Sequence, residues 1–190
     1  MTDHDDLRAH CRNLLQRIDA NGNRCDYPAQ LIAENTDRLR RLYGDDTAGA
    51  PLTAAETMKL GIALHIWWLR DRAWADITTD NAQARAEQWA SVAVTLPPAF
   101  ITPAAFLAAY AASSAGDFPS ARAALEVALT CNPHYGAALL LLSDVAHEVL
   151  PLRMDDAVGL LTSAPAAEWL QPLRDRIHLF HQLDGLPSQN

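Results

Sequence analysis

The densest group of chemically versatile side chains lies in one short run of the sequence. In chain order it contains His65, Trp67, Trp68, Arg70, Asp71 and Trp74. Tryptophan and arginine are the residue types that dominate binding at protein interfaces. The same run also suits a folded core, in which tryptophans act as anchors and the Arg70–Asp71 pair serves as a structural hydrogen-bonding unit. The core interpretation is the simpler one. If the run instead binds a partner, the candidate interaction surface consists of Trp67, Trp68, Arg70, Asp71 and Trp74.

Two further sets of residues are the types that bind metals. The first is Cys11, Cys25, His4 and His10; the second is His178, His181 and Asp184. The spacing of the first set fits no standard zinc pattern, and Cys11 falls on an apolar stripe, where free cysteine packs as a small hydrophobic residue. The second set is a histidine pair without a defined third ligand. We therefore predict no metal site and no cofactor.

The remaining charged candidates have simple explanations. Arg38, Arg40 and Arg41 are suited to phosphates or an acidic partner, but they also fit the solvated end of a helix, where cations complement the helix dipole. Asp155 and Asp156 are better explained as charges at a helix start than as a catalytic pair. The sequence contains no glycine-rich phosphate loop and no recognisable hydrolase or metalloprotease motif.

Charge and composition exclude several classes of function. The 190 residues carry 15 basic and 23 acidic side chains, a net charge of −8, whereas nucleic-acid binding needs an extended basic surface. No run reaches the roughly 18 apolar residues of a membrane span. The acidic start of the chain does not resemble a secretory signal, and the three cysteines are far apart. We therefore predict a cytoplasmic protein that binds neither nucleic acid nor membrane.

Helical periodicity runs along nearly the whole chain, and no segment is convincingly a strand. Residues 1–44 are predicted to form an N-terminal helical hairpin, with helices over 3–19 and 28–43. The loop from Gly44 to Pro51 separates this hairpin from a helical repeat-like body over 52–184, and 185–190 is a frayed tail. The expected fold class is all-α, with about nine helices.

Caps and prolines define the helices of the body. A Thr53–Glu56 capping box begins a helix that is expected to run to about Ala75. Six further helices follow, and the last two cover about 153–163 and the stretch from Pro165 to residue 184. The final helix has an apolar stripe of Trp169, Leu173, Ile177 and Phe180.

Residues 102–135 carry the signature of a tetratricopeptide-like repeat. Gly116 and Asp117 make a tight turn between two antiparallel helices, and Pro133 ends the unit. Ala121 and Ala128 are small, which allows the two helices to approach closely, so both alanines are predicted to be buried. The expected architecture is a set of antiparallel helical hairpins in a tetratricopeptide-like right-handed stack.

Four consecutive leucines, at 139–142, follow in the next helix. At about 100° per residue they span about 300° of the helix, so at least one leucine must point away from any single packing surface. Either residues 151–184 cover this second face or another molecule does. We expect a homodimer that buries part of this helix or of the helix with Trp67 and Trp68.

Residues 52–151 also resemble an uncharacterised actinobacterial family of domains of unknown function. The resemblance rests on Pro51-Leu52-Thr53, Leu69-Arg70-Asp71, Trp89, the run from Ala115 to Leu125, and the run from Cys131 to Tyr135. It implies an all-helical, repeat-like fold. It implies no activity, because the family has none assigned.

These observations favour a cytoplasmic α-helical interaction or scaffold module without intrinsic catalysis. Its partner would be another protein or a second copy of the chain, since repeat arrays bind partners on their helical surfaces. The alternative is a small ligand-binding protein or an enzyme, with a pocket near His65, Arg70 and Asp71. A filled core at these residues would favour the first hypothesis, and a concave pocket would favour the second.

Overall fold

Helices make up the regular structure of the computed structural model, which describes residues 9, 29–44 and 50–151. The elements are α1 (Ala29–Leu42), α2 (Ala54–Ala63), α3 (Trp67–Ala75), α4 (Ala82–Thr95), a 3-10 turn (Pro98–Phe100), α5 (Ile101–Ser114), α6 (Phe118–Cys131) and α7 (Gly136–Ala146). No strand occurs in these ranges, so the all-α prediction is confirmed for them. The helices predicted over 3–19, 153–163 and 165–184 lie outside the described residues, as does the tail, and the total of about nine stays a prediction.

The first helix of the body is two helices, so the prediction of one helix from Thr53 to Ala75 is wrong. The capping box that begins it is present, but the chain leaves the helix after Ala63 and Ile66 is extended. Leu64 and Ile66 are both buried. The last turn tightens to i→i−3 hydrogen bonds, from the His65 amide to the Ile62 carbonyl at 3.2 Å and from the Ile66 amide to the Ala63 carbonyl at 2.9 Å, and the extended Ile66 then leads into α3.

The end of α4 packs directly on α2 at a glycine. A Cβ atom at Gly61 would lie 2.5 Å from the side chain of Leu96, well inside van der Waals contact. Only glycine therefore allows this approach without displacing the leucine.

Helix α5 forms the centre of the described fold. All twelve residues from Thr102 to Ser113 are buried, because α5 packs along α4 on one side and along α6 on the other. Ala121 and Ala128 of α6 are fully buried, as predicted, and Leu125 lies between them in the core. Small side chains on both helices make this close seam possible.

Helices α5 and α7 end in the same way, 32 positions apart. After α5, Gly116 adopts a left-handed conformation with φ of 80°, and the Asp117 amide donates to the Ala112 carbonyl at 2.9 Å. After α7, Glu148 has φ of 55°, and the Val149 amide donates to the Asp144 carbonyl at 2.9 Å. Both ends are Schellman caps. The same local structure therefore recurs at a fixed spacing along the chain.

Candidate interaction surfaces

The run from Trp67 to Trp74 lies on α3 and faces the core more than the solvent. Trp68 is buried, with 2% of its surface exposed. Trp67 and Trp74 are half-buried and pack against the same core. The side chains of Arg70 and Asp71 keep only 20% and 16% of their surface exposed. The structure thus places Trp68 inside the core and the other four candidate residues at its edge.

Trp74 joins α3 to α5 through aromatic contacts. Its ring lies edge-on to Phe106 at 5.1 Å and to Tyr110 at 5.2 Å between centroids. Phe106 in turn contacts Tyr135, just before α7, at 5.8 Å. Such edge-to-face pairs add about 0.5–1.5 kcal/mol each beyond the area that they bury. These rings fill the space between α3, α5 and the start of α7.

Arg70 is held by two partners within the protein. Its Nε donates to the Asp71 carboxylate at 2.8 Å, its Nη2 donates to the same oxygen, and its Nη1 donates to the Tyr135 hydroxyl at 3.4 Å. Partial burial disfavours the cation, but Asp71 and Tyr135 outweigh burial and raise the pKa of Arg70. A ligand at this guanidinium would have to compete with both partners. Sequence reasoning missed Tyr135, because it lies 65 positions away and no local pattern links it to Arg70.

His65 stands in the break between α2 and α3. Its ring lies edge-on to Phe100 at 5.5 Å between centroids. Partial burial lowers the pKa of His65, the Phe100 backbone opposes this effect, and the charge of Arg70 adds to it. His65 therefore favours the neutral imidazole more strongly than a free histidine does.

The arginines near the end of α1 have protein partners of their own. Arg41 donates to both carboxylate oxygens of Glu56, at 2.8 and 3.1 Å, and to the Ala50 carbonyl at 2.7 Å. Arg38 donates to Asn35 at 3.0 Å. Arg41 therefore acts as a clamp between α1 and the capping box of α2, which differs from the solvated helix end that the sequence suggests.

The described residues contain no group of three histidine, cysteine or acidic side chains that would hold a metal ion. Both candidate metal sets, Cys11 with its neighbours and His178 with His181, lie outside this part of the chain. So do Asp155 and Asp156.

A second surface is formed by exposed apolar side chains on α7 and just after it. It consists of Leu139, Leu142, Val149 and Leu150, and is called here the leucine face; Leu140 is exposed as well but lies about 160° around α7 from Leu142. Leu140 is 77% exposed, whereas its neighbour Leu141 is buried with Ala138 and Val145 against α5 and α6. The prediction that at least one leucine of 139–142 points away from the packing surface is confirmed. Val149 and Leu150 were not expected in the face, because the helix was predicted to continue to Leu150 and instead ends at Ala146.

Polar groups border the leucine face at the end of α7. Arg122 of α6 pairs with Glu148 at 3.2 Å and donates to the Val145 carbonyl at 3.4 Å. This exposed pair links α6 to the end of α7.

Residues 1–151 match the model of a family described as a domain of unknown function, DUF4192. The match covers most of the chain, so the protein belongs to this family. It includes the first fifty residues, which the resemblance over 52–151 left out. No curated protein and no solved structure matches the chain. Among the described helices, none is both long and apolar enough to cross a membrane.

Proposed function

We propose that this protein is a non-catalytic helical interaction module, and that its leucine face binds an apolar helix of a partner protein. The observation that carries the proposal is the exposure of Leu139 and Leu142 on one side of α7, with Val149 and Leu150 just after it, at one end of an otherwise well-packed helical stack. Exposed groups of large apolar side chains on a folded protein are typical of interaction sites.

The comparison with α5 supports this function. Leu107, Ala108 and Tyr110 of α5 stand 32 positions before Leu139, Leu140 and Leu142, and all three are buried because α4 and α6 flank α5. In tetratricopeptide-like arrays each unit covers the apolar face of its neighbour, and the face of an end unit needs a cover of its own. The recurring Schellman cap and the alanine seam of α5 and α6 favour such a stack.

The chemistry of the face favours a helical partner. Leu139, Leu142 and Ala146 follow one another at i, i+3 and i+7, so their side chains form a single stripe along α7. Helix-in-groove recognition uses stripes of this kind on both partners. A second copy of the chain is one partner that the face would fit.

The run from Trp67 to Trp74 is a weaker proposal for a second contact area. Trp67, Arg70 and Asp71 lie at the edge of the core, and their residue types suit an interface. The aromatic rings around Trp74 already pack against α5, however, and Arg70 already has two partners. A cytoplasmic location remains part of the proposal, supported by the free thiol of Cys131.

Site-specific cross-linking in cells tests the proposed function. Leu139, on the stripe, is replaced by a photo-crosslinking amino acid, and Val94, which is exposed on α4, is replaced in the matched control. We expect a defined protein adduct from position 139 that is absent from position 94. Adding Leu142→Asp should abolish the adduct, whereas Val94→Asp should not. Equal adducts from both positions, or an adduct that survives Leu142→Asp, would contradict the proposal.

A further inference from the structure

We propose that helix α1, with Tyr43 at its end, is a strap that opens from the rest of the described fold while the other helices stay packed. The inference concerns a different surface from the leucine face and does not depend on the proposed function. It rests on the junction between α1 and α4, where side chains bury polar atoms that have no hydrogen-bond partner. Opening of α1 is the movement that lets water reach these atoms.

Tyr43 is the side chain that joins the end of α1 to α4. Its amide donates to the Leu39 carbonyl at 3.0 Å, so it continues the last turn of α1. Its ring lies edge-on to Trp89 at 6.1 Å between centroids, and the guanidinium carbon of Arg85 lies 3.5 Å from the ring centroid. Arg85 and Trp89 are four positions apart on α4 and therefore share one side of that helix. One aromatic contact and one cation–π contact thus attach α1 to this side of α4.

Three polar atoms at this junction are buried without a hydrogen-bond partner. They are the Tyr43 hydroxyl, the Trp89 indole nitrogen and the Arg85 Nε. Arg85 donates through its Nη1 to Gln88 at 2.8 Å. Burial raises the pKa of Tyr43, and the nearby Trp89 indole opposes this shift only in part. Because an unpaired buried polar group is less stable than one that bonds to water, each of the three atoms favours the open state of α1.

Buried hydroxyls at the centre of the fold are bonded. The Thr102 hydroxyl donates to the Ala128 carbonyl across the α5–α6 seam at 3.5 Å, and the Ser113 hydroxyl donates to the Tyr110 carbonyl at 2.9 Å. Helix α5 lies between α4 and α6, whereas α1 packs mainly on α2. Proteins open locally where few buried contacts hold an element, at a lower free energy than their centre requires. We therefore expect α1 to open before α5 and α6.

The Arg41 clamp is the polar contact that opposes this opening. Arg41 donates to both carboxylate oxygens of Glu56 and to the Ala50 carbonyl, so it ties the end of α1 to the capping box of α2. All of these partners lie outside α1 and are lost when the helix moves away. The clamp and the Tyr43 hydroxyl therefore act in opposite directions on the same movement.

Hydrogen–deuterium exchange of the full-length protein, measured by mass spectrometry, tests the inference. We expect the hydrogen-bonded amides of α1 to exchange about tenfold or more faster than those of α5 and α6. Tyr43→Phe keeps the ring but removes the unpaired hydroxyl, so it should slow exchange in α1 by about fivefold or more and leave α5 and α6 unchanged. Equal exchange in α1 and α5 would overturn the inference. So would a Tyr43→Phe variant in which exchange in α1 is not slowed, or is slowed equally in α5.

Two further variants complete the test. Tyr135→Phe is the matched control, because the hydroxyl that it removes accepts a hydrogen bond from Arg70, and it should not slow exchange in α1. Arg41→Gln removes the clamp and should speed exchange in α1 several fold while α5 keeps its rate. If Tyr135→Phe slows α1 as much as Tyr43→Phe does, the unpaired hydroxyl does not favour opening. If Arg41→Gln speeds α5 as much as α1, the helix does not open separately, and either result overturns the inference.

Discussion

Helices α5 and α7 have the same cap at the same spacing, yet they differ completely in burial. Every residue of α5 from Thr102 to Ser113 is buried, whereas α7 exposes three of its four consecutive leucines. The difference follows from their neighbours, because α5 lies between two helices and α7 packs on α5 and α6 along one side. The comparison shows that large apolar side chains left exposed on one side of a helix mark a side on which no neighbouring helix packs.

Residue size separates the two helices as well. α5 is rich in alanine, so its neighbours approach closely from both sides. α7 carries leucines where α5 has Ala108 and Ala109, and burying one leucine fully stabilises a fold or complex by about 1.5–3 kcal/mol. The leucine face therefore has more free energy to gain from a cover than an alanine face would have.

The largest expected effect concerns the buried seam beside α5. Leu125→Ala should lower the free energy of unfolding by about 2–5 kcal/mol, because it leaves a cavity between α5 and α6. Val127→Ala, two positions along on the exposed side, should change it by less than about 0.5 kcal/mol. Urea denaturation measures both. Equal effects would show that α6 does not pack on α5 through the face described.

Overpacking the same seam should have a smaller effect. Ala128→Leu adds bulk at a fully buried position and should destabilise the protein by about 1–3 kcal/mol. Ala123→Leu is the matched control, because Ala123 is exposed on the same helix. If Ala128→Leu unfolds at the same denaturant midpoint as the control, the close approach of α5 and α6 is refuted.

The two caps predict opposite responses at equivalent positions. Gly116→Ala introduces a side chain at φ of 80° and should destabilise the protein by about 1 kcal/mol. Glu148→Gly relieves the strain of a side chain in the same left-handed conformation. It also removes the exposed ion pair with Arg122, worth about 0.2–1 kcal/mol. We therefore expect a gain of less than about 1 kcal/mol. A thermal melt in which both variants lose stability equally would show that the two ends are not equivalent.

The smallest effect lies outside α5 and α7, at the Arg41–Glu56 clamp. Its hydrogen bonds from Arg41 and Thr53 lower the pKa of Glu56 from 4.5 to about 2. The stability that the fold gains from this lowered pKa is complete above pH 4.5 and is lost as the pH falls from 4.5 towards 2. Glu56→Gln should flatten the pH dependence of stability in that window, whereas the exposed control Glu126→Gln should not. If Glu56→Gln leaves the pH dependence of stability unchanged, the clamp does not contribute to stability in acid.

Local signals predicted much of this fold. The capping box at Thr53, the turn at Gly116 and the periodic apolar residues placed most of the described helices within a few positions of their observed ends. The break at 64–66 was missed because a helix that is apolar all round has the same pattern with or without an interruption.

Contacts between residues far apart in the sequence could not be predicted from local patterns. Arg70 with Tyr135, and Arg41 with Glu56, depend on how helices cross, which no spacing within one helix encodes. That at least one leucine of 139–142 points away from any single packing surface was predictable, since the rotation of about 100° per residue alone requires it. The sequence did not show which of the two candidate surfaces to prefer as a binding surface, because tryptophans suit a core and an interface equally.

The most direct measurement of the central claim is the yield of photo-cross-links from position 139 relative to position 94 in cells. Both positions are exposed and lie on different helices, so they differ in the surface that surrounds them. If the leucine face is a binding surface, position 139 gives a defined protein adduct that Leu142→Asp abolishes, and position 94 gives none. Equal yields from the two positions would contradict the account.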